Sequence, residues 1–168
     1  MATEQQYQQV VFNTAKNCGL SDSNAKIITA QATLESGHFK SAVFLSDNNP
    51  FGMKVPSRRP KTYIDGSSSH VMRSEGATPY AHYDSLGRAV QDLILGYHVN
   101  FKTDWNRIES AADYAAKMKK NGYYGGEQST YESNLTFFTD GFNWLKKTGA
   151  LPIGLILLAG ILFFMYKN

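Results

Sequence analysis

The chain lacks most of the features that mark a specialised chemistry. It has one cysteine, Cys18, among 168 residues. A single thiol cannot close an internal disulfide, so the fold does not depend on oxidation, and Cys18 reads as a small buried hydrophobe. The four histidines, His38, His70, His82 and His98, show no metal-ligand spacing and read as structural or surface residues. No metal and no cofactor is implied. Charge of one sign is also scarce, with 17 Lys plus Arg against 14 Asp plus Glu and a net charge of +3. The basic residues are scattered, apart from Arg58, Arg59 and Lys61, which read as a solvated loop. Without a basic face, nucleic acid is not an expected partner. The mild positive balance suits an anionic polymer or a membrane surface. There is no internal repeat and no low-complexity tract. The length allows one domain with a real core, and hardly two.

The two ends differ. The N-terminal MATEQQYQQVVF has no positive n-region and no long apolar stretch, so it is not read as a secretory signal. Near the C-terminus, GALPIGLILLAGILFFMY, residues 149–166, runs for 18 residues without a charge. That is close to the minimum of about 17 needed to span a bilayer core. Lys146, Lys147 and Lys167 flank the run, and Trp144 and Tyr166 stand where interfacial aromatics are expected. The reading is a C-terminal transmembrane helix contacting lipid through residues 149–166, with a buried terminal core helix as the alternative. It divides the chain into a folded domain, 1–147, and an anchor, 148–168.

Between the ends the pattern is mainly helical. Val10, Val11, Thr14, Ala15 and Cys18 follow helical spacing after Tyr7 and predict a helix over 3–17, stopped by Gly19. Ser21 or Ser23 caps a second helix that runs through Ile27, Ile28, Ala32 and Leu34 to about Ser36, where Gly37 ends it. Residues 37–60, rich in Asn, Pro, Ser and Gly, read as a long functional loop. The pieces KTYI, HVMR and PYAHY, broken at Asp65–Gly66 and Glu75–Gly76, predict a hairpin or a three-stranded sheet. Asp84 or Ser85 then caps a helix extending to Phe101. Another helix spans about 110–120, and a last one runs from about Ser129 to Lys147.

Within the second helix, QATLESG holds one acidic residue, Glu35, seven positions after Ile28 and three after Ala32. At about 100° per residue the three share a face. Partial burial and the negative end of the helix dipole both disfavour a charged carboxylate there, so its pKa should rise. A carboxyl still protonated at working pH is what a general acid needs to protonate a leaving-group oxygen. A solvent-facing glutamate at a helix end is the plain alternative.

Four segments, taken in order, narrow the choice: LESG, NNPFGMK (48–54), YAHYDSLGRAVQDLILGY and NGYYGGEQSTYESNL. Over about residues 25–135 this pattern resembles the glucosaminidase-type glycoside hydrolases, family seventy-three, of bacteria and phages. Those are lysozyme-like peptidoglycan hydrolases, among them autolysins and the muralytic domain of flagellar rod-assembly proteins. The resemblance implies an α+β, mainly α, lysozyme-like helical domain with a small β-hairpin. It makes Glu35 the general acid and lines the sugar cleft with Asn49, Phe51 and Gly52. It also sets Tyr123 near the acid, or Tyr124 if the register slips by one. An asparagine amide suits an acetamido group, a phenyl ring offers an apolar wall, and glycine permits close approach. The chain departs from the family at His38–Phe39, where Trp–Gly is frequent, and at Pro50, where leucine is common.

Glycosidases usually pair two carboxyls, about 5–5.5 Å or 6.5–9.5 Å apart according to mechanism. The family carries its second acid on the hairpin, and here the choices are Glu75 and Asp65, with Glu75 preferred. The substrate's own acetamido group, or its 6-hydroxyl as in lytic transglycosylases, can replace that acid. The leading expectation is a membrane-anchored peptidoglycan hydrolase cutting β-1,4 bonds of the glycan strand. Its setting is a phage virion membrane or the bacterial envelope, acting in genome delivery rather than as a lysis protein. The competing readings are a lytic transglycosylase, a non-catalytic wall-binding structural membrane protein and a generic tethered interaction domain.

Overall fold

The computed structural model describes residues 2–57, 60–72, 78–98 and 103–145. Its centre is a helix that is buried almost all round. Helix α1, Glu4–Asn17, opens on a capping box: the Thr3 hydroxyl accepts from the Gln6 amide while the Gln6 side chain accepts from the Thr3 amide. Gln8, Val11, Phe12 and Ala15 form its buried stripe at helical spacing. Gly19, at φ +94°, ends it in the left-handed conformation that glycine adopts without steric cost. Helix α2, Asp22–Glu35, is capped by Ser21 and buries Ala25, Ile27, Ile28, Ala30 and Ala32. Its buried threonines bond back into the helix, Thr29 to the Ala25 carbonyl and Thr33 to that of Thr29. Both hydroxyls are therefore satisfied within the helix itself.

The expected loop over 37–60 contains a further element, α3, Ala42–Asp47, capped by Ser41 and closed by Asn48 at φ +50°. Six residues are too few to show a period, which is why the pattern hid it. Strand β1, Gly66–Met72, pairs antiparallel with β2, Thr78–His82, and a register irregularity falls between Ser67 and Val71. KTYI is not a strand. The third edge is instead the segment after NNPFG: Lys54 bridges Tyr80, and the Ala81 amide donates to the Met53 carbonyl. Ser85 caps α4, Leu86–Gln91, which passes into a π-helical stretch, Asp92–Tyr97. Phe101, the expected end of that helix, lies outside the described residues. After a 3₁₀ turn, Trp105–Arg107, come α5, Ala111–Lys120, capped by Ser110, and α6, Gln128–Gly141. Helix α2 packs against α1 and α6, and α5 packs on α6. The last helix ends at Gly141 rather than running on to Lys147.

The expected fold class needs one correction. Among the described residues no helix is long and apolar enough to cross a membrane. The longest of the described helices have 14 residues, whereas a span takes about 20. The described architecture is thus a mainly helical fold with a two-stranded sheet and no transmembrane helix. The run 149–166, on which that expectation rested, lies outside the described residues.

One carboxylate fastens the hairpin to the helices. Asp47, at the end of α3, accepts from Ser46 at 2.6 Å, from Ser68 at 2.5 Å, and from His82 at 3.0 Å. His70 stands 3.4 Å away. Burial alone would raise its pKa, but these hydrogen bonds outweigh it and hold the carboxyl below its usual value. A depressed folded pKa gives stability that is present above the unfolded value of about 4 and lost as pH falls through the folded one. Asp47→Ala should therefore cost about 2 kcal/mol or more near neutral pH. It should also flatten the loss of stability on acidification, as read from denaturant melts between neutral pH and the acid range.

Candidate active site

Glu35 is the last residue of α2, and the backbone turns away at once. Ser36 caps the helix, and Gly37, His38 and Phe39 follow with φ of +56°, +60° and +61°. This leaves the Glu35 carboxyl at the end of the helix, open to solvent on one side. From the other side α6 reaches it: the Tyr131 hydroxyl donates to Glu35 Oε1 at 2.8 Å. Tyr131 in turn stacks on Tyr124 with ring centroids 4.1 Å apart. Burial by these surroundings raises the Glu35 pKa, and the Tyr131 hydrogen bond, which favours the charged form, works against part of the rise. The expected direction is therefore right and burial is its main cause, although Glu35 itself stays accessible while Ile28 and Ala32 on its face are fully buried. Burial and the nearby Glu35 charge push the phenols of Tyr123 and Tyr131 well above their usual value, so both are held as neutral donors.

A cleft of about 720 Å³ has Tyr123 and Tyr124 in its wall. It is lined by residues 52–57 and Thr78 from the β region, and by Tyr97 and residues 122–125 from the helical region. Glu35 is not part of the lining; it adjoins the cleft through the Tyr131–Tyr124 ring pair. Tyr123 lines the cleft and donates from its hydroxyl to the Phe51 carbonyl at 2.8 Å, tying the two regions together. Gly52 lines it at φ +59°.

The other sequence-chosen residues have different surroundings. Phe51 is buried, and what it offers is that carbonyl. Asn49 is buried too: its amide donates to the carbonyls of Met53 and Ala81 and accepts from the Met53 amide. Its side chain thus holds the cleft segment against β2. Asp65 accepts from the Asp84 amide at 3.0 Å and faces Arg88 at 3.4 Å, which together keep its carboxyl below the usual value. It acts as a turn clamp. Glu75 lies outside the described residues. Among the described residues no cluster of His, Cys, Asp or Glu is placed to hold a metal. Tyr131 is the residue that sequence reasoning passed over. It stood inside the quoted STYESNL, but only the crossing of α6 and α2 brings it to Glu35.

The sequence matches the family described as mannosyl-glycoprotein endo-beta-N-acetylglucosaminidase, or glucosaminidase, over residues 4–143. The chain belongs to the glucosaminidase family. It is accordingly a glycoside hydrolase, and the expected family is the one found. Among solved structures this glucosaminidase is similar to a type VI secretion system effector–immunity complex from Pseudomonas protegens. The TM-score is 0.57 at 16% identity, covering 82% of this chain and 89% of that one. It is also similar to the catalytic domain of the autolysin Auto from Listeria monocytogenes, with a TM-score of 0.54 at 20% identity, covering 88% and 91%. At such identities the likeness is one of fold. No curated protein sequence matches it.

The Tyr131 bond makes a signed prediction about the glucosaminidase. Because its hydroxyl stabilises the charged carboxylate, Tyr131→Phe should raise the Glu35 pKa. The basic limb of the kcat/KM profile, which reports the protonated acid of the free enzyme, should move to higher pH. A pH–rate profile of the two proteins checks this. A limb that moves to lower pH would contradict the geometry.

Proposed function

We propose that this glucosaminidase is a peptidoglycan hydrolase that cleaves β-1,4 bonds between the amino sugars of the glycan strand, with Glu35 as general acid. The observation that carries the reading is the Glu35 carboxyl itself. It stands at the end of α2, has its pKa raised by burial, accepts a hydrogen bond from Tyr131 and is linked through the Tyr131–Tyr124 ring pair to the cleft wall. A protonated carboxyl there gives its proton to the glycosidic oxygen as the bond breaks, and Tyr131 then stabilises the carboxylate that remains. The cleft walls, held by Tyr123 and Asn49, orient the sugar rings. A strand several sugars long fits a groove of this volume better than a closed pocket would. The net charge of +3 suits an anionic wall polymer. The proposed place of action is the bacterial envelope, reached from a phage particle during genome delivery. Absence of the protein from purified particles would remove that setting.

The test is a digest of purified peptidoglycan by the full chain beside Glu35→Gln, with products read by mass spectrometry. The amide keeps the shape and cannot donate the proton. Cleavage should therefore fall by about 10² to 10⁴-fold with the fold intact. Reducing N-acetylglucosamine ends establish a glucosaminidase cut and reducing N-acetylmuramic ends a muramidase cut. Anhydro-muramic ends replace hydrolysis by transglycosylation. Full activity in Glu35→Gln overturns the role of Glu35.

A further inference from the structure

Beneath the site runs a buried chain of polar side chains that the acid chemistry does not itself use. It starts at Thr103, whose hydroxyl lies 3.0 Å from His98 Nδ1. His98 Nε2 lies 3.0 Å from the Tyr114 hydroxyl, and that hydroxyl donates to Gln31 Oε1 at 2.7 Å. His98, Tyr114 and Gln31 are all essentially inaccessible to solvent. Gln31 lies on α2 one turn before Glu35, so the two share a face of the helix.

Given that the Tyr114 hydroxyl donates to Gln31 Oε1, the directions of the other bonds in this chain follow. Tyr114 has one proton and gives it to Gln31, so it accepts from His98 Nε2–H. Burial lowers the His98 pKa to about 3, and the ring is therefore neutral with its one proton on Nε2. Nδ1 is then an acceptor for the Thr103 hydroxyl. The outcome is a one-way chain that fixes the Gln31 amide with its carbonyl toward α5. Its NH₂ edge is left over, and Gln31 Nε2 has no hydrogen-bond partner within bonding distance. The phenol that responds to Gln31 besides Tyr114 is Tyr123, which also feels the charge of Glu35.

We propose that Gln31 is a positioning residue for the catalytic acid: the chain Thr103–His98–Tyr114 locks its amide so that the NH₂ edge, not the carbonyl, is turned to the phenols packed beside Glu35. Tyr131 from α6 bonds the Glu35 carboxyl, Gln31 lies one turn before it on α2, and the phenols of Tyr114 from α5 and Tyr123 from the loop that follows feel its charge, with Tyr97 of the π-helical stretch packed edge-on to Tyr123 at 5.5 Å. None of these neighbours carries a charge at neutral pH. An amide held by its NH₂ edge supplies positive potential that burial alone would not, and so moderates the rise in the Glu35 pKa. A flipped amide would turn its carbonyl the same way and add to the rise.

The inference rests on the proposed acid role of Glu35 for its functional meaning, but its test does not need activity. The Glu35 carboxyl carbon is titrated by NMR in the full chain, in Tyr114→Phe and in Gln31→Met, with Glu35→Gln to assign the resonance and thermal melts to confirm folding. Both variants should titrate at higher pH than wild type, by about half a unit or more. Peptidoglycan cleavage by the same variants should show the basic limb moving with the titration while KM stays within about twofold. A folded variant whose Glu35 titrates as in wild type overturns the proposal. If Tyr114→Phe does not fold, Gln31→Met decides alone. A shifted titration in a protein that cuts no peptidoglycan upholds the positioning and overturns the functional reading instead.

Discussion

The hydrogen bond from Tyr131 to Glu35 joins residues 96 positions apart in the chain, and much of the site depends on it. To make it, α6 must cross α2 at the end of the core helix. That crossing brings Tyr124 onto Tyr131 and sets Tyr123 against Phe51. The cleft is therefore a consequence of the same packing that holds the acid, and the two cannot be moved independently. The bond also divides the electrostatic labour. Burial raises the carboxyl toward the protonated form a general acid requires, and the phenol stabilises the anion left once the proton has gone.

The second constraint is the turn after Glu35. His38 and Phe39 both adopt left-handed backbone, at a cost of about 1–2 kcal/mol per residue for a side chain with a Cβ. Packing offsets this. Phe39 is buried and stacks on Tyr7 at 5.3 Å and edge-on to Phe44 at 5.2 Å. His38 Nδ1 pairs with Glu4 at 2.8 Å. The Ser36 carbonyl accepts from both Lys40 and Ser41. Glycine at position 39 would adopt such a turn without that cost. This chain holds it by an aromatic cluster instead, so α1 and α3 support the acid from behind.

Local signals in the sequence announced the parts of this fold that local physics controls. Ser21, Ser85 and Ser110 cap the helices that the apolar spacing predicts, and Gly19 and Gly37 stop them. Glu35 was legible because a lone acid on an apolar face is costly. What stayed hidden depends on tertiary contact. Helix α3 is too short for a period, and KTYI has strand composition but sits at a turn held by Asp65 and Arg88. Asn49 looked like a ligand amide, yet its bonds to Met53 and Ala81 are visible only once β2 is in place. Tyr131 could not be chosen among 10 tyrosines without the helix crossing. The apolar run 149–166 suggested a span by composition alone, and the described fold contains no membrane helix.

The central claim, that Glu35 protonates a glycosidic oxygen, is tested most directly by the crystal structure of Glu35→Gln with a peptidoglycan tetrasaccharide bound. The account predicts an intact sugar chain in the cleft, with one glycosidic oxygen about 2.6–3.2 Å from the residue-35 side chain and Tyr131 still bonded to that side chain. A saccharide bound across the cleft with every glycosidic oxygen out of reach of residue 35, directly or through one water, would contradict it.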